Sequence, residues 1–174
     1  MQNKGLIWAS DSAAWRLQKL KRRSARAKVF NYRCAPWDGG TKLPTQTKFD
    51  GVLVDAPCSG LGTWQRNPHA RWTTEEADVL ELAVLQKQLL AHAAPSVKPG
   101  GKLIYSVCTL ARAETSEVAD HFNQTQAEFQ PLTCLPGLPG KVAGRILMNR
   151  ETLTIWPQDL GGNGMFVAAW NRKG

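Results

Sequence analysis

No Cys-x-x-Cys pair occurs in the chain, and its three histidines, His69, His92 and His121, stand far apart. Zinc ligands come in closely spaced pairs, so this pattern argues against a zinc site and leaves no metal expected. No apolar run approaches the length of about 20 residues that crosses a bilayer, and no signal-like apolar segment opens the sequence. The four thiols, Cys34, Cys58, Cys108 and Cys134, are therefore expected to be reduced and the protein cytoplasmic, with no membrane partner. Internal repeats, low-complexity tracts and a linker are also missing, so residues 1–174 are read as one domain. Between Ser12 and Trp37 there is no acid at all, against eight basic residues, and the net charge of the chain is +8. A polyanion such as a nucleic acid is one partner for that stretch; a solvated helix face is the plain alternative.

What is present alternates strand-like and helix-like segments. Gly5 to Ala9 reads as a buried strand followed by a Ser10-Asp11 helix cap, and Ala14, Leu17 and Leu20 give helical spacing. Arg26 to Tyr32, with Val29-Phe30, is expected to be a second strand, and residues 34–47 a loop. Val52, Leu53 and Val54 form a continuous apolar run, as in a strand buried on both faces, and it ends at Asp55 and a Pro-Cys turn. Thr73-Thr-Glu-Glu76 resembles a capping box opening a helix whose apolar positions are Val79, Leu80, Ala83, Val84, Leu90 and Ala94. Pro99-Gly100-Gly101 is expected to turn the chain into a strand from Lys102 to Val107, and Glu114 to Asn123 to be helical. Arg145 to Met148, Thr152 to Trp156 and Met165 to Trp170 complete the strands. The pattern predicts a three-layer α/β domain with a mostly parallel sheet.

Open α/β sheets bind ligands at the carboxyl ends of their strands. Cys58 and Cys108 both stand at such ends, and consecutive strands are usually neighbours, so the two thiols are expected to face one cleft. Either thiol, taken alone, has a plain reading as a small buried hydrophobe. Asp11, Asp38 and Asp55 close strand-like segments or the loops after them. A carboxylate there accepts hydrogen bonds from a ribose diol, although Asp11 serves equally to cap its helix and Asp38 to set a turn beside Gly39.

Asp55-Ala-Pro-Cys-Ser-Gly60, Gly62-Thr-Trp-Gln-Arg-Asn-Pro68, Trp72, Tyr105-Ser-Val-Cys-Thr-Leu110 with Glu114, and Gly164-Met-Phe-Val-Ala168 resemble the Fmu/Sun (nucleolar-protein type) family of S-adenosylmethionine-dependent RNA cytosine-5 methyltransferases. The resemblance implies a Rossmann-like methyltransferase sandwich and an RNA substrate, with ribosomal RNA the expected one. It implies Cys108 as the nucleophile that adds to carbon 6 of cytosine and Cys58 as the thiol that helps resolve the covalent adduct. It also implies Asp55 beside the cofactor methyl group and the base, Asp11 on the ribose, Asp38 near the adenine, and Arg16 as a further family position. An unpaired or flipped-out base is required, and Arg16, Arg22, Arg23, Arg66 and Arg71 are the candidates to hold the surrounding phosphates.

Val107, Thr115, Gln65 and Asn163 depart mildly from the family pattern. The glycine-rich cofactor loop and first strand that the family carries ahead of Asn3-Lys4-Gly5 are not seen, nor is its N-terminal RNA-binding region. The expectation is the carboxyl-terminal part of a catalytic domain, completed by a further segment or chain and binding S-adenosylmethionine weakly by itself; micromolar binding by calorimetry would refute it. Two rival readings accompany the methyltransferase: a non-catalytic RNA-binding remnant of the same fold, and a DNA cytosine methyltransferase in which Cys58 is the nucleophile.

Overall fold

The computed structural model describes residues 2–132, 147–148 and 151–174, with only the backbone at 147–148. They form two compact units, Met1–Gln46 and Thr47–Gly174.

In the first unit strand β1 (Ile7–Asp11) leads into helix α1 (Ala14–Arg26) and then strand β2 (Tyr32–Pro36), which pairs in parallel with β1. The second strand begins later than the expected Arg26 to Tyr32, because the basic segment continues the helix. Straight-chain Arg and Lys favour helix, and Arg23 and Arg26 lie in its last turn, where cations suit the helix dipole. The helix ends in a Schellman motif: the N–H of Val29 donates to Ser24 O at 2.9 Å and that of Lys28 to Ala25 O at 3.1 Å, with Lys28 left-handed at φ 53°. Val29 and Phe30 thus belong to the helix exit, and Phe30 is 73% exposed.

The second unit holds one six-stranded sheet. Its strands are β3 (Phe49–Asp55), β4 (Val97–Val107), β5 (Phe129–Pro131), β6 (Leu147–Met148), β7 (Thr152–Ile155) and β8 (Met165–Arg172), in the order β3-β4-β8-β7-β6 with β5 also pairing β8. Among its described residues only β3 and β4 pair in parallel; β8 runs antiparallel to β4, β5 and β7. Residues 156–164, which join β7 to β8, are fewer than a parallel crossover needs. They carry the short helix α5 (Pro157–Leu160). Of the expected strand at Arg145 to Met148, Leu147–Met148 is found and Arg145 lies outside the described residues, as does Cys134.

Strand β4 starts earlier than expected, since Pro99-Gly100-Gly101 forms a bulge within it rather than a turn before it. Phe49 pairs with Val97 and Gly51 already with Lys102, and Gly100 sits at φ 74°. Strand β3 ends the order of this sheet and Leu53 is 63% exposed, so the apolar run is not buried on both faces. The core lies on β4 and β8, where Leu103, Tyr105, Val107, Phe166 and Trp170 are buried. Phe122 of helix α4 (Ser116–Thr125) stacks 4.5 Å from Trp170.

Between β3 and β4 the chain forms the one-turn helices Leu61–Thr63 and α2 (Ala70–Thr73), then the long α3 (Glu76–Ala93). The capping box of α3 is Glu75 with Asp78, not Thr73 with Glu76. Its inward stripe is Ala83, Gln86, Leu90 and Ala93, while Leu80 and Val84 are 54% and 55% exposed. A helix turning 3.6 residues cannot bury both Ala83 and its neighbour Val84 on one narrow face.

Candidate active site

Strands β3 and β4 pair Val54 with Tyr105 and Asp55 with Ser106, so the chain leaves both at the same end. The turns that follow carry Cys58 and Cys108, whose sulfurs stand 3.5 Å apart, within range of an S–H···S hydrogen bond. The parallel pairing anticipated from sequence is what brings the thiols together.

The two sulfurs are not equivalent. The S–H of Cys58 holds the Cys108 thiol down at about 7, against burial and the negative charges of Asp55 and Glu114, which push the other way. Cys58 is pushed far up, first by donating that hydrogen bond, then by burial and by the charge on Cys108. Cys108 is therefore the thiol of the pair that ionises first, and Cys58 the one that keeps its proton.

A buried polar network holds the turns. Glu114, fully buried just before α4, accepts at Oε1 from the backbone N–H of Ser59 at 2.8 Å and from Gln86 Nε2 at 3.0 Å. Its Oε2 accepts from Thr109 Oγ1 at 2.9 Å and from the Ser59 hydroxyl. Gln86 also donates to Pro57 O at 2.8 Å, and the Tyr105 hydroxyl lies 2.9 Å from Gln86 Oε1 and 2.6 Å from Glu114 O. Burial, then the charges of Glu114 and Cys58, push the Tyr105 phenol up, so it stays a donor. Gly62 closes the far side of the Cys58 turn: its N–H donates to Cys108 O at 3.0 Å, and its carbonyl accepts from Gly164 N at 2.8 Å. Sequence reasoning gave Gln86, Ser59 and Thr109 no role. The available signal was a glutamine standing in the apolar stripe of α3, three residues from Ala83 and four from Leu90.

Asp55, the last residue of β3, is exposed. In the first unit β1 and β2 end together, Asp11 opposite Pro36, which brings Asp11 and Asp38 to one end of that sheet. Asp38 has the turn role foreseen for it, whereas Asp11 does not cap α1: the N-cap is Ala13 and has no side-chain cap, and the Asp11 carboxylate forms a local turn ahead of it instead. Asp11 Oδ1 accepts from the Ala13 N–H at 2.8 Å, ahead of α1, and Oδ2 lies 3.5 Å from Arg16. Asp38 Oδ1 accepts from the Gly40 N–H at 2.8 Å in a tight turn.

Of the expected phosphate-binding arginines, Arg16, Arg22 and Arg23 are exposed on α1, and Arg66 and Arg71 are exposed in the second unit. Arg71 lies 5.7 Å over the ring of Trp72, which is 80% exposed. Trp15, over which Arg16 sits at 5.3 Å, is 59% exposed. Among the described residues no cluster of His, Cys, Asp and Glu could hold a metal ion, and no helix is long and apolar enough to cross a membrane.

Residues 1–171 match the model of the family described as 16S rRNA methyltransferase RsmB/F. Ribosomal RNA small subunit methyltransferase F of Vibrio parahaemolyticus is 39% identical over 97% of this chain, which spans 35% of that relative. Two solved structures are similar: PH0851, with a TM-score of 0.87 and 32% identity over 99% of this chain and 38% of that one, and NSun6 from Pyrococcus horikoshii with SFG, with a TM-score of 0.79 and 28% identity over 98% and 42%. With these neighbours the α/β architecture is that of a Rossmann-like methyltransferase. The chain spans well under half the length of each of these relatives.

Proposed function

The chain belongs to the RsmB/F family of 16S rRNA methyltransferases, and from that membership and its paired thiols we propose that it carries the methyl-transfer site of an RNA cytosine-5 methyltransferase, with ribosomal RNA as substrate. The observation that carries the reading is the 3.5 Å approach of Cys58 and Cys108 at the ends of two adjacent parallel strands, with the charge on Cys108.

Carbon 5 of cytosine is a poor nucleophile until a thiolate adds at carbon 6. Cys108 supplies that thiolate, forming an S–C6 bond and making carbon 5 electron-rich. S-adenosylmethionine, when bound, supplies the methyl group that carbon 5 takes. Asp55 lies beside the base, where its carboxyl, once protonated, donates a hydrogen bond to the charge that develops on the ring. Once its sulfur is a thioether, Cys108 is only a weak acceptor and carries no charge, which weakens the largest cause keeping Cys58 protonated. Cys58 then loses its proton to solvent and takes the proton from carbon 5, and the S–C6 bond breaks to return the Cys108 thiolate. The net product of the cycle is one released proton, as methylation by a sulfonium requires.

Asp11 and Asp38 are the residues to hold the nucleoside of the methyl donor. The 3.5 Å contact from Arg16 is too long to saturate Asp11 Oδ2, so that oxygen retains capacity for a ribose hydroxyl. Arg16, Arg22, Arg23, Arg66 and Arg71 hold RNA phosphates around an unpaired cytosine.

The test is incubation of a full-length or complemented form with S-adenosylmethionine and RNA containing 5-azacytidine, in which nitrogen replaces carbon 5, so that no proton can be removed there and the adduct is trapped. A protein–RNA band that survives denaturation and is lost in Cys108→Ala is expected. No band with the wild-type protein would favour the non-catalytic RNA-binding reading, and loss only in Cys58→Ala would make Cys58 the nucleophile.

A further inference from the structure

Glu114 is a charged side chain with no exposure, and none of the ion pairs among the described residues includes it. Burying a carboxylate without a cation costs several kcal/mol unless its oxygens are saturated by donors. An apolar residue of similar volume would fill the space without that cost, so packing alone does not explain the choice of a glutamate. The donors explain it. Ser59 is the residue directly after Cys58, and Thr109 the residue directly after Cys108. One carboxyl group therefore receives both cysteine-bearing turns, and the Ser59 hydroxyl also lies 2.9 Å from Thr109 Oγ1. Behind it Gln86 ties the same carboxylate to Pro57 O, the residue before Cys58, and Tyr105 anchors the Glu114 backbone.

We propose that Glu114 is the positioning residue of the thiol pair: by clamping Ser59 and Thr109 on one carboxylate, it sets the distance between Cys58 and Cys108 at which one thiol hydrogen-bonds the other. The assignment rests on these two thiols being the reacting pair, but its consequence is a property of the protein without RNA or methyl donor. Three charged or titratable groups act on Cys108: Cys58, Asp55 and Glu114 itself. The Cys58 hydrogen bond is the largest influence and lowers its pKa; the Glu114 charge is the smallest and raises it. Losing the clamp and losing only its charge must then shift Cys108 in opposite directions.

Two readouts on the full chain separate these effects: the rate of capture of the Cys58–Cys108 pair by phenylarsine oxide, which needs both sulfurs on one arsenic, and the pH midpoint of Cys108 alkylation by iodoacetamide, followed by peptide mass spectrometry. Glu114→Gln keeps an acceptor for the Ser59 N–H, and its amide donates to hydroxyls that rotate to receive it, so capture should stay within about twofold of wild type and the midpoint should fall. Glu114→Ala should slow capture at least roughly tenfold and raise the midpoint towards the ordinary thiol value of about 8.5. Thr109→Val, which removes the donor on the Cys108 side together with the 3.3 Å bond from the Ala111 N–H, keeps the side-chain volume; it should slow capture, and decides the matter if Glu114→Ala does not fold. Wild-type capture in Thr109→Val, or wild-type capture and midpoint in a folded Glu114→Ala, would overturn the proposal. The azacytidine adduct is scored separately, so a failed clamp and a failed methyltransferase reading give different results.

Discussion

Replacing Cys58 by alanine should shift the ionisation of Cys108 upward by more than one pH unit. In the wild-type protein the Cys58 S–H is the largest cause holding Cys108 at about 7. Once it is gone, burial, Asp55 and Glu114 all act to keep the thiol protonated, and only a backbone hydrogen bond still favours the thiolate. The midpoint should therefore reach or pass the ordinary value of about 8.5. The sign follows from the direction of the shift: a lowered thiol ionises early, so wild-type alkylation rises around pH 7 and then levels, whereas the variant rises only above pH ~8. The thiolate fraction at pH 7 falls from about one half to roughly 3%. Reactivity falls less than that, because a thiolate of higher pKa is a better nucleophile, with a Brønsted slope of about 0.4–0.5. The discriminating quantity is thus the midpoint of the pH–rate curve for the Cys108 peptide rather than its rate at one pH. Cys58→Ser, which restores an O–H donor, should give an intermediate midpoint. A Cys58→Ala midpoint at or below that of wild type would refute the hydrogen bond as the cause. Preferential labelling of Cys58 in the wild-type protein at pH 7 would refute the placement of the charge.

Gly62→Ala should destabilise the second unit by about 2 kcal/mol or more, at the upper end of overpacking costs, because the added Cβ would stand 2.3 Å from Gly164 O, a backbone atom with no rotamer to escape through. Urea denaturation measures it, and an unchanged midpoint would contradict the threading of Gly62 between Cys108 O and Gly164. For the RNA reading, Arg71→Ala should lower the salt slope of binding to an unpaired RNA by about 0.7, one single-strand phosphate, while Trp72→Ala should weaken binding by about 1–3 kcal/mol without changing the slope. Fluorescence anisotropy across a salt series separates them, and no loss in Trp72→Ala would exclude its exposed ring as a stacking platform.

The features that could be read from the sequence are those set by local pattern and by topology rules. Val52 to Val54 ending at Asp55, and Leu103 to Val107 ending at Cys108, each announce a strand with chemistry at its carboxyl end, and adjacency of consecutive strands then forces the two thiols together. Elements whose limits depend on competition between neighbours were less legible. Val29-Phe30 has strand character, but the Schellman bonds from Lys28 and Val29 claim those residues for the end of α1. Leu53 has the composition of a buried residue, and its exposure reflects the place of β3 in the sheet order, which composition does not encode.

The least legible part is the clamp, because the partners that the Glu114 carboxylate gathers are ordinary hydroxyls and an amide drawn from three separate segments. Even so, Gln86 was a visible anomaly. Once Ala83, Leu90 and Ala93 define the buried stripe of α3, helical spacing places an uncharged amide in the core. A buried amide carries donors and an acceptor that must all be satisfied. Its partners therefore had to be polar groups at the sheet end beneath it, and the polar residues there are the ones following Cys58 and Cys108. Satisfying Gln86 requires a network, and any such network in that place fixes the thiols relative to each other.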